Sequence, residues 1–424
     1  MANQFKNEYS DKQVYFIIET RNNGKQWEEV AEAYSKEFSS KKSAEAMRKT
    51  YNKYKDLTLT NDAYVENMKD TYKAQRNSSL LAKDNRALLT YTTEADAKKE
   101  LIDMMLKKIK FTTHKPVLTK KKPKKIDRVL LAHLSDLHYG TKVNAGELGG
   151  LNTFSPKIAA RRTAYFFKQL VEYSYDHLNE TELVLVINGD LFAGVIHDAD
   201  CNELMTNQFY LAVRILGEGI SYLANHFSKV TIHATVGNHD RQTGSNKDGG
   251  RALTAKWDSH ATMSYIALKE RVISNKNVKF EIVTTPYADF TALNYRIYAT
   301  HGDTIFKIGI PSKSINTGLI SAQINSINNS DMVKNNKKFD IFLFAHMHTP
   351  VMTMASGGEY VFINGSLIGL DAFGQSIGIN VNRPTQQFVE ITRDHIGNSR
   401  FADLLPADND SSLDVIIPEP KLLS

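Results

Sequence analysis

The stretch VLLAHLSDLHYG, residues 129–140, opens the part of the chain whose reading decides the fold. Val129, Leu130, Leu131, Ala132 and Leu134 form an apolar run broken only by His133. Strands of a sheet covered on both faces read this way. The polar residues Ser135, Asp136 and His138 follow at once. The same grammar recurs downstream. An apolar run at 183–187 ends in Asn188-Gly189-Asp190, and one at 230–235 ends in Gly237-Asn238-His239-Asp240. Runs at 295–299 and 339–344 end in Thr300-His301-Gly302-Asp303 and Ala345-His346-Met347-His348. Further strands are expected at 280–283 and 360–363, and helical patterns fill 158–177 and 203–226. Strand–helix alternation predicts an α/β domain. Ligands of such sheets bind beyond the carboxyl ends of the strands, so five loops carrying Asp, Asn and His should meet at one rim.

Taken singly these motifs are weak. Asp-x-His is most often a surface loop, and Gly-Asp is a common turn. Asn tolerates left-handed backbone, so Gly237-Asn238 is also a plausible turn. His346 and His348 are better, because i and i+2 side chains project to one side of an extended segment. The combination is what matters. Clustered carboxylates and imidazoles are costly unless a cation lies between them. Carboxylate, amide oxygen and imidazole suit Mn²⁺, Fe or Zn²⁺. The single cysteine, Cys201, excludes an internal disulfide and a Cys-rich zinc site.

In this order the five signatures resemble those of the calcineurin-like metallophosphoesterase superfamily, over about residues 128–370. The resemblance implies a four-layer αββα sandwich of two mixed β-sheets. It implies two divalent cations, Mn²⁺ foremost with Fe or Zn as alternatives. Asp136, His138, Asp190 and His348 would hold one; Asp190, Asn238, His301 and His346 would hold the other, with Asp190 shared. His239 would contact the phosphate and assist the leaving group, and Asp240 would orient His239. Two cations about 3.5–4 Å apart can neutralise a phosphodiester and activate water. The chain departs from the family pattern at Ala345, where glycine is usual. It also resembles the Mre11/SbcD-like nucleases through Gly189-Asp190-Leu191-Phe192, but Ala193 stands where their histidine would be, with His197 four residues on.

Composition sets the outer bounds. The chain has 424 residues, 42% hydrophobic and 24% charged, which excludes a wholly disordered or fibrous protein. No apolar run approaches the ~20 residues of a membrane span. Residues 1–13 lack the apolar core of a secretory signal, so a cytoplasmic location is expected. Charge is unevenly spread. Residues 1–125 hold 27 Lys+Arg against 17 Asp+Glu, a net +10, and the remainder is −4. Such asymmetry points to a polyanionic partner, most simply DNA.

Residues 1–56 read as three short helices, at 11–20, 27–38 and 44–54, with Ser43 placed to cap the third. Its outer face carries Arg48, Lys49, Lys53 and Lys55. The pattern resembles a helix-turn-helix or Myb/SANT-like module. Residues 57–127 are expected to be a partly helical linker. It ends in a lysine-rich run that includes Lys120, Lys121, Lys122, Lys124 and Lys125 and is suited to phosphate backbones. The phosphoesterase domain is expected at 128–401, followed by an acidic flexible tail at 402–424.

Together these features favour a metal-dependent DNA exo- or endonuclease. The Mre11-like resemblance further implies an SMC-like ATPase partner. A phosphoesterase for a cyclic nucleotide or a phosphoprotein shares the same cage. A catalytically dead scaffold subunit is the reading of another class, and the full ligand set argues against it. Oligomeric state is not legible in the sequence.

Overall fold

The structure is a computed structural model that describes residues 9–55, 125–194, 202–241, 259–306, 315–335, 337–370 and 383–422. The chain divides into two compact units.

The first unit holds three helices, α1 (Asp11–Asn22), α2 (Trp27–Phe38) and α3 (Ala44–Tyr54). Their apolar stripes meet, burying Val14, Ile17, Ile18, Val30, Tyr34 and Met47 under a rim of Phe16, Trp27, Phe38 and Tyr51. The Ser43 hydroxyl accepts from the Ala46 N–H and starts α3, satisfying a backbone donor that the helix cannot. Arg48, Lys49, Lys53 and Lys55 are all exposed. Lys49 pairs loosely with Glu45 at 3.6 Å, one turn earlier.

The second unit is built on two mixed sheets. One runs β11-β10-β1-β2-β3-β4 and the other β5-β6-β7-β9-β8 among the described residues. In the first sheet β1 (Arg128–Leu134), β2 (Thr181–Asn188), β3 (Lys229–Thr235) and β4 (Val278–Ile282) are parallel. β10 (Thr385–Thr392) and β11 (Ile396–Asp403) add antiparallel. In the second, β6 (Tyr295–Ala299), β7 (Ile341–Phe344) and β9 (Tyr360–Ile363) are parallel, with β5 (Ala288–Ala292) and β8 (Val351–Met354) antiparallel at its edges. Alternate residues decide which layer each strand feeds. Val129, Leu131, Val184, Val186, Ile297, Ile341, Leu343 and Val389 meet between the sheets. Tyr298, Phe342, Phe344, Val361 and Ile363 face outward, where Ile320 and Ile324 of α7 (Thr317–Asn335) cover them. The first sheet's helices are α4 (Pro156–Tyr173), α5 (Met205–His226) and α6 (His260–Val272). The four-layer αββα sandwich expected from the motifs is therefore the observed architecture.

Two expectations need correction. Residues 402–424 are not a flexible tail across their described part. β11 runs to Asp403, and two short 3-10 turns follow, at Leu405–Ala407 and Ser411–Val415. Leu404, Ala407, Leu413 and Ile417 are buried. The acidic side chains have partners on α4: Arg161 pairs with Asp414 at 2.8 Å and Arg162 with Asp408 at 2.7 Å. The domain expected to stop at 401 thus continues through this segment. Secondly, β5, β8, β10, β11, α6 and α7 do not stand out in the sequence pattern. β10 carries Gln386 and Gln387 as buried residues, which hides its strand pattern. Expectations about 57–124, including Lys120, Lys121, Lys122 and Lys124, lie outside the described residues, as does His197. Lys125 is described and exposed.

Candidate metal centre

All nine residues singled out for metal and catalysis lie at the carboxyl ends of strands. Asp136 and His138 follow β1, Asp190 follows β2, Asn238, His239 and Asp240 follow β3, His301 follows β6, and His346 and His348 follow β7. The parallel strands all end at the same side of their sheets, which brings these loops together.

The inter-sheet face prepares the site. β1 and β2 present Val129, Leu131, Val184 and Val186 to the core, then turn polar with His133 and Asn188. Asn188 donates to the Thr300 carbonyl at 2.9 Å and lies 3.0 Å from His133 Nε2. The Asn188 side-chain oxygen accepts from the Thr235 hydroxyl at 2.7 Å. Three strands are thereby stitched directly beneath the rim. Burial pushes His133 down to about 3, so its ring is neutral at physiological pH.

Two groups of donors form. Asp136, His138 and His348 make one; Asp190, His301 and His346 make the other, each with ligand atoms within 4.8 Å of one another. In the first, His138 Nε2 lies 3.1 Å from His348 Nε2, and that atom lies 3.2 Å from Asp136 Oδ1. In the second, His301 Nε2 lies 3.1 Å from both Asp190 Oδ2 and Asn238 Oδ1. A cation bound at about 2.1 Å in tetrahedral geometry sets its ligands about 3.4 Å apart. The donor spacing and the chemistry of the set therefore fit one divalent cation per group. Asn238 belongs to the second group although it is neither acid nor imidazole.

The backbone marks the same residues. Asp136 (φ 51°), His138 (45°), Asp190 (50°), His346 (69°) and His348 (51°) adopt the left-handed region. Ser39 and Leu293 are the other non-glycine residues to do so among the described residues. This conformation is costly for L-residues, and it persists where the surroundings hold it in place. Here it aims adjacent side chains at one point. Close backbone packing adds to the constraint. A Cβ on Gly237 would stand 2.1 Å from Asp190 Oδ1, and one on Gly189 would stand 2.6 Å from Gly237 N. The loops after β2 and β3 touch only because both residues are glycine.

Electrostatics follow from burial and pairing. Burial pushes Asp190 up, but His301 and His239 beside it outweigh that and hold it well below the carboxylate range. Burial also opposes charge on His301, yet Asp190 raises it to about 10. Asp136 is held low by His348 against the effect of burial. His346 falls to about 4 through burial and the charge of His301. The His301 ring is fixed by its Nδ1, which donates to the Asn188 carbonyl at 2.9 Å and leaves Nε2 facing the donors.

His239 stands edge-on to His138, with ring centroids 4.8 Å apart. Its Nδ1 lies 2.8 Å from the Ala193 carbonyl and donates to it, so Nε2 is the nitrogen left for proton transfer. The expected role of Asp240 is corrected here. Its carboxylate accepts from Asp190 N at 3.0 Å, Leu191 N at 2.8 Å and Gly237 N at 2.7 Å. Asp240 clamps the loops after β2 and β3, while the Ala193 carbonyl orients the His239 ring. Burial and the Asp190 charge push Asp240 up to about 6.

A family model for calcineurin-like phosphoesterase matches residues 129–370. This chain belongs to that family. No curated protein matches it. Among solved structures it is similar to a conserved uncharacterized protein, a predicted phosphoesterase, from Streptococcus pneumoniae. The identity is 13% and the TM-score 0.27, over 65% of this chain and 98% of that one. Vps29 complexed with zinc from Entamoeba histolytica shares 11% identity at a TM-score of 0.29, over 64% and 97%. A dimetal phosphatase from Danio rerio shares 10% at 0.32, over 65% and 99%. At these values no substrate follows from any of them. The phosphoesterase also contains supporting groups that sequence reasoning did not assign. They are Asn188, His133, the Ser135 hydroxyl, which donates to Asp136 Oδ2 at 2.6 Å, and the Ala193 carbonyl. Asn188 is visible as a polar end to an apolar run; a carbonyl has no sequence signal.

No helix among the described residues is long and apolar enough to cross a membrane.

Proposed function

We propose that this phosphoesterase is a two-metal phosphodiesterase acting on DNA. The observation that carries the reading is the pair of donor groups on one rim with His239 beside them. Asp136, His138 and His348 would hold one divalent cation; Asn238, His301 and His346 would hold the other, with Asp190 shared between them. When bound, such cations supply Lewis acidity toward a phosphodiester and lower the pKa of water. The chain's own groups do the rest. Asp240 keeps Asp190 in place, and Asn188 keeps the His301 ring turned. His239, anchored through Nδ1, presents Nε2 to the departing alkoxide and, in its protonated form, donates the Nε2 proton to that oxygen, leaving a neutral imidazole. The metal is best taken as Mn²⁺, since hard oxygen and imidazole donors are mixed.

DNA is favoured over a small phosphodiester by the basic N-terminal part of the chain, most of whose net charge comes from the lysine run at 107–125. Exposed Arg48, Lys49 and Lys53 lie on α3 and exposed Lys55 directly follows it, and residues 1–125 carry a net +10. A small-molecule enzyme has no use for that charge. An SMC-like ATPase partner belongs to the same reading. The test is hydrolysis, with Mn²⁺, of single-stranded DNA, duplex DNA and a cyclic nucleotide side by side. Cleavage of DNA that Arg48→Ala/Lys49→Ala/Lys53→Ala weakens is the expected result. Turnover of the cyclic nucleotide alone would move the assignment to the small-substrate class.

A further inference from the structure

Arg162 lies on α4 and is fully buried, and its hydrogen bonds among the described residues go to groups outside the two donor groups. Burying a guanidinium costs several kcal/mol unless partners compensate. Its partners lie in two places far apart in sequence. Nε and Nη2 donate to the two oxygens of Asp408, at 2.7 and 2.8 Å. Nη1 donates to the carbonyls of Leu367 and Ile368, at 2.8 and 2.9 Å. One planar fork therefore joins the C-terminal segment to the loop after β9.

That loop touches Asp136 from two directions. The Leu367 N–H donates to the Asp136 carbonyl at 3.0 Å. Asn364 donates to Ser135 Oγ at 2.9 Å, and the Ser135 hydroxyl donates to Asp136 Oδ2 at 2.6 Å. Asp136 needs such support because its backbone sits at φ 51°. Asn152 secures the same loop, donating to the Ile368 and Leu370 carbonyls at 2.8 and 2.6 Å.

We propose that residues 404–417 form a strap that positions Asp136, acting through the Asp408–Arg162 pair on the 364–370 loop. The proposal rests on the reading of Asp136 as a metal ligand. Arg162 and Asp408 are positioning residues. Removing the Asp408 charge leaves a buried guanidinium without its counterion, and the fork then moves off the Leu367 and Ile368 carbonyls. The structure supplies its own control. Arg161 forks onto Asp414, with both contacts at 2.8 Å, and anchors the same segment. Its further bond goes to the Asp408 carbonyl, and no hydrogen bond from it to the 364–370 loop is seen among the described residues.

The experiment is calorimetric titration of Mn²⁺ into metal-free, full-length protein, with melting temperatures recorded in parallel. Wild type should bind two equivalents. Asp408→Asn should weaken one site about 10- to 100-fold and leave the other at its wild-type affinity. Asp408→Glu should recover most of the loss. Asp414→Asn should lower the melting temperature yet keep both affinities, which separates positioning from simple loosening. If Asp408→Asn does not fold, Arg162→Lys serves. Lysine keeps the charge but cannot span a carboxylate and two carbonyls, so the same single-site loss is expected. Wild-type affinities in both Asp408→Asn and Arg162→Lys would overturn the strap while leaving the metal centre standing. Equal losses in Asp414→Asn would also overturn it. Wild type that binds no Mn²⁺ would overturn the proposed function and the strap together.

Discussion

Replacing Asp240 by Asn separates the clamp from a role in orienting His239, because the two predict different losses. The wild-type carboxylate accepts three backbone N–H groups, from Asp190, Leu191 and Gly237. Asparagine offers one acceptor oxygen and one NH₂, so at least one donor loses its partner and the others lose charge assistance. An orphaned buried donor costs about 1–3 kcal/mol. Against this, burial and the charge of Asp190 push the Asp240 carboxyl up from 3.8 to about 6. Each pKa unit is about 1.4 kcal/mol, so removing this charge returns about 3 kcal/mol to the fold at pH 8. The two terms nearly cancel, and the melting temperature should move by only a few degrees. Metal binding has no such compensation. The loops after β2 and β3 lose their common acceptor, and Asp190 is no longer held. Mn²⁺ affinity should fall about tenfold or more in calorimetric titration at pH 8. As the pH drops below about 6 the wild-type carboxyl protonates, so wild type and variant should converge toward pH 5. Unchanged Mn²⁺ affinity at pH 8, with turnover lost as it is in His239→Ala, would refute the clamp and restore a role at the imidazole.

Three further outcomes follow from the same geometry. His239→Ala should bind two Mn²⁺ and lose at least about 100-fold in kcat on a phosphodiester, since it removes a proton-transfer group and no donor atom; wild-type kcat would sink that role. In full-length protein, Arg48→Ala/Lys49→Ala/Lys53→Ala should weaken DNA binding and flatten its dependence on log salt by up to about 3, at about 0.9 for each phosphate no longer neutralised. An unchanged slope would remove the first unit from the DNA interface. His133 is held neutral down to about pH 3, whereas an unfolded histidine protonates near 6.5. The unfolded chain therefore binds more protons between those values, and stability falls as the pH drops through that window. Wild type should lose about 2 kcal/mol more than His133→Gln between pH 7 and 5 in denaturant titration; equal losses would show that the ring is not held neutral.

Particular elements show which features the sequence discloses. The seven proposed ligands are readable because coordination needs specific side-chain donors, and these sit at the ends of apolar runs whose direction is set by the parallel sheet. The helices of the first unit are readable because each has a distinct apolar stripe and α3 has a side-chain cap. β10 is not readable, because its buried residues Gln386 and Gln387 bond across the sheet instead of presenting apolar surface: Gln386 donates to the Ser135 carbonyl at 3.0 Å. The segment after Ala402 reads as a solvated acidic end. Its acids become structural only when α4 brings Arg161 and Arg162 against them, across about 250 residues of chain.

The α/β character of the second unit and the candidate donors at the ends of its apolar runs follow from local chemistry, legible within a dozen residues, and the motifs in their order carry the family resemblance that implies the sandwich. The orientation of His239 by a carbonyl, the clamp at Asp240 and the strap from Asp408 to Asp136 were settled only by tertiary contact. Backbone groups look alike in every residue, and a buried charge chooses its partner by where the folded chain places it.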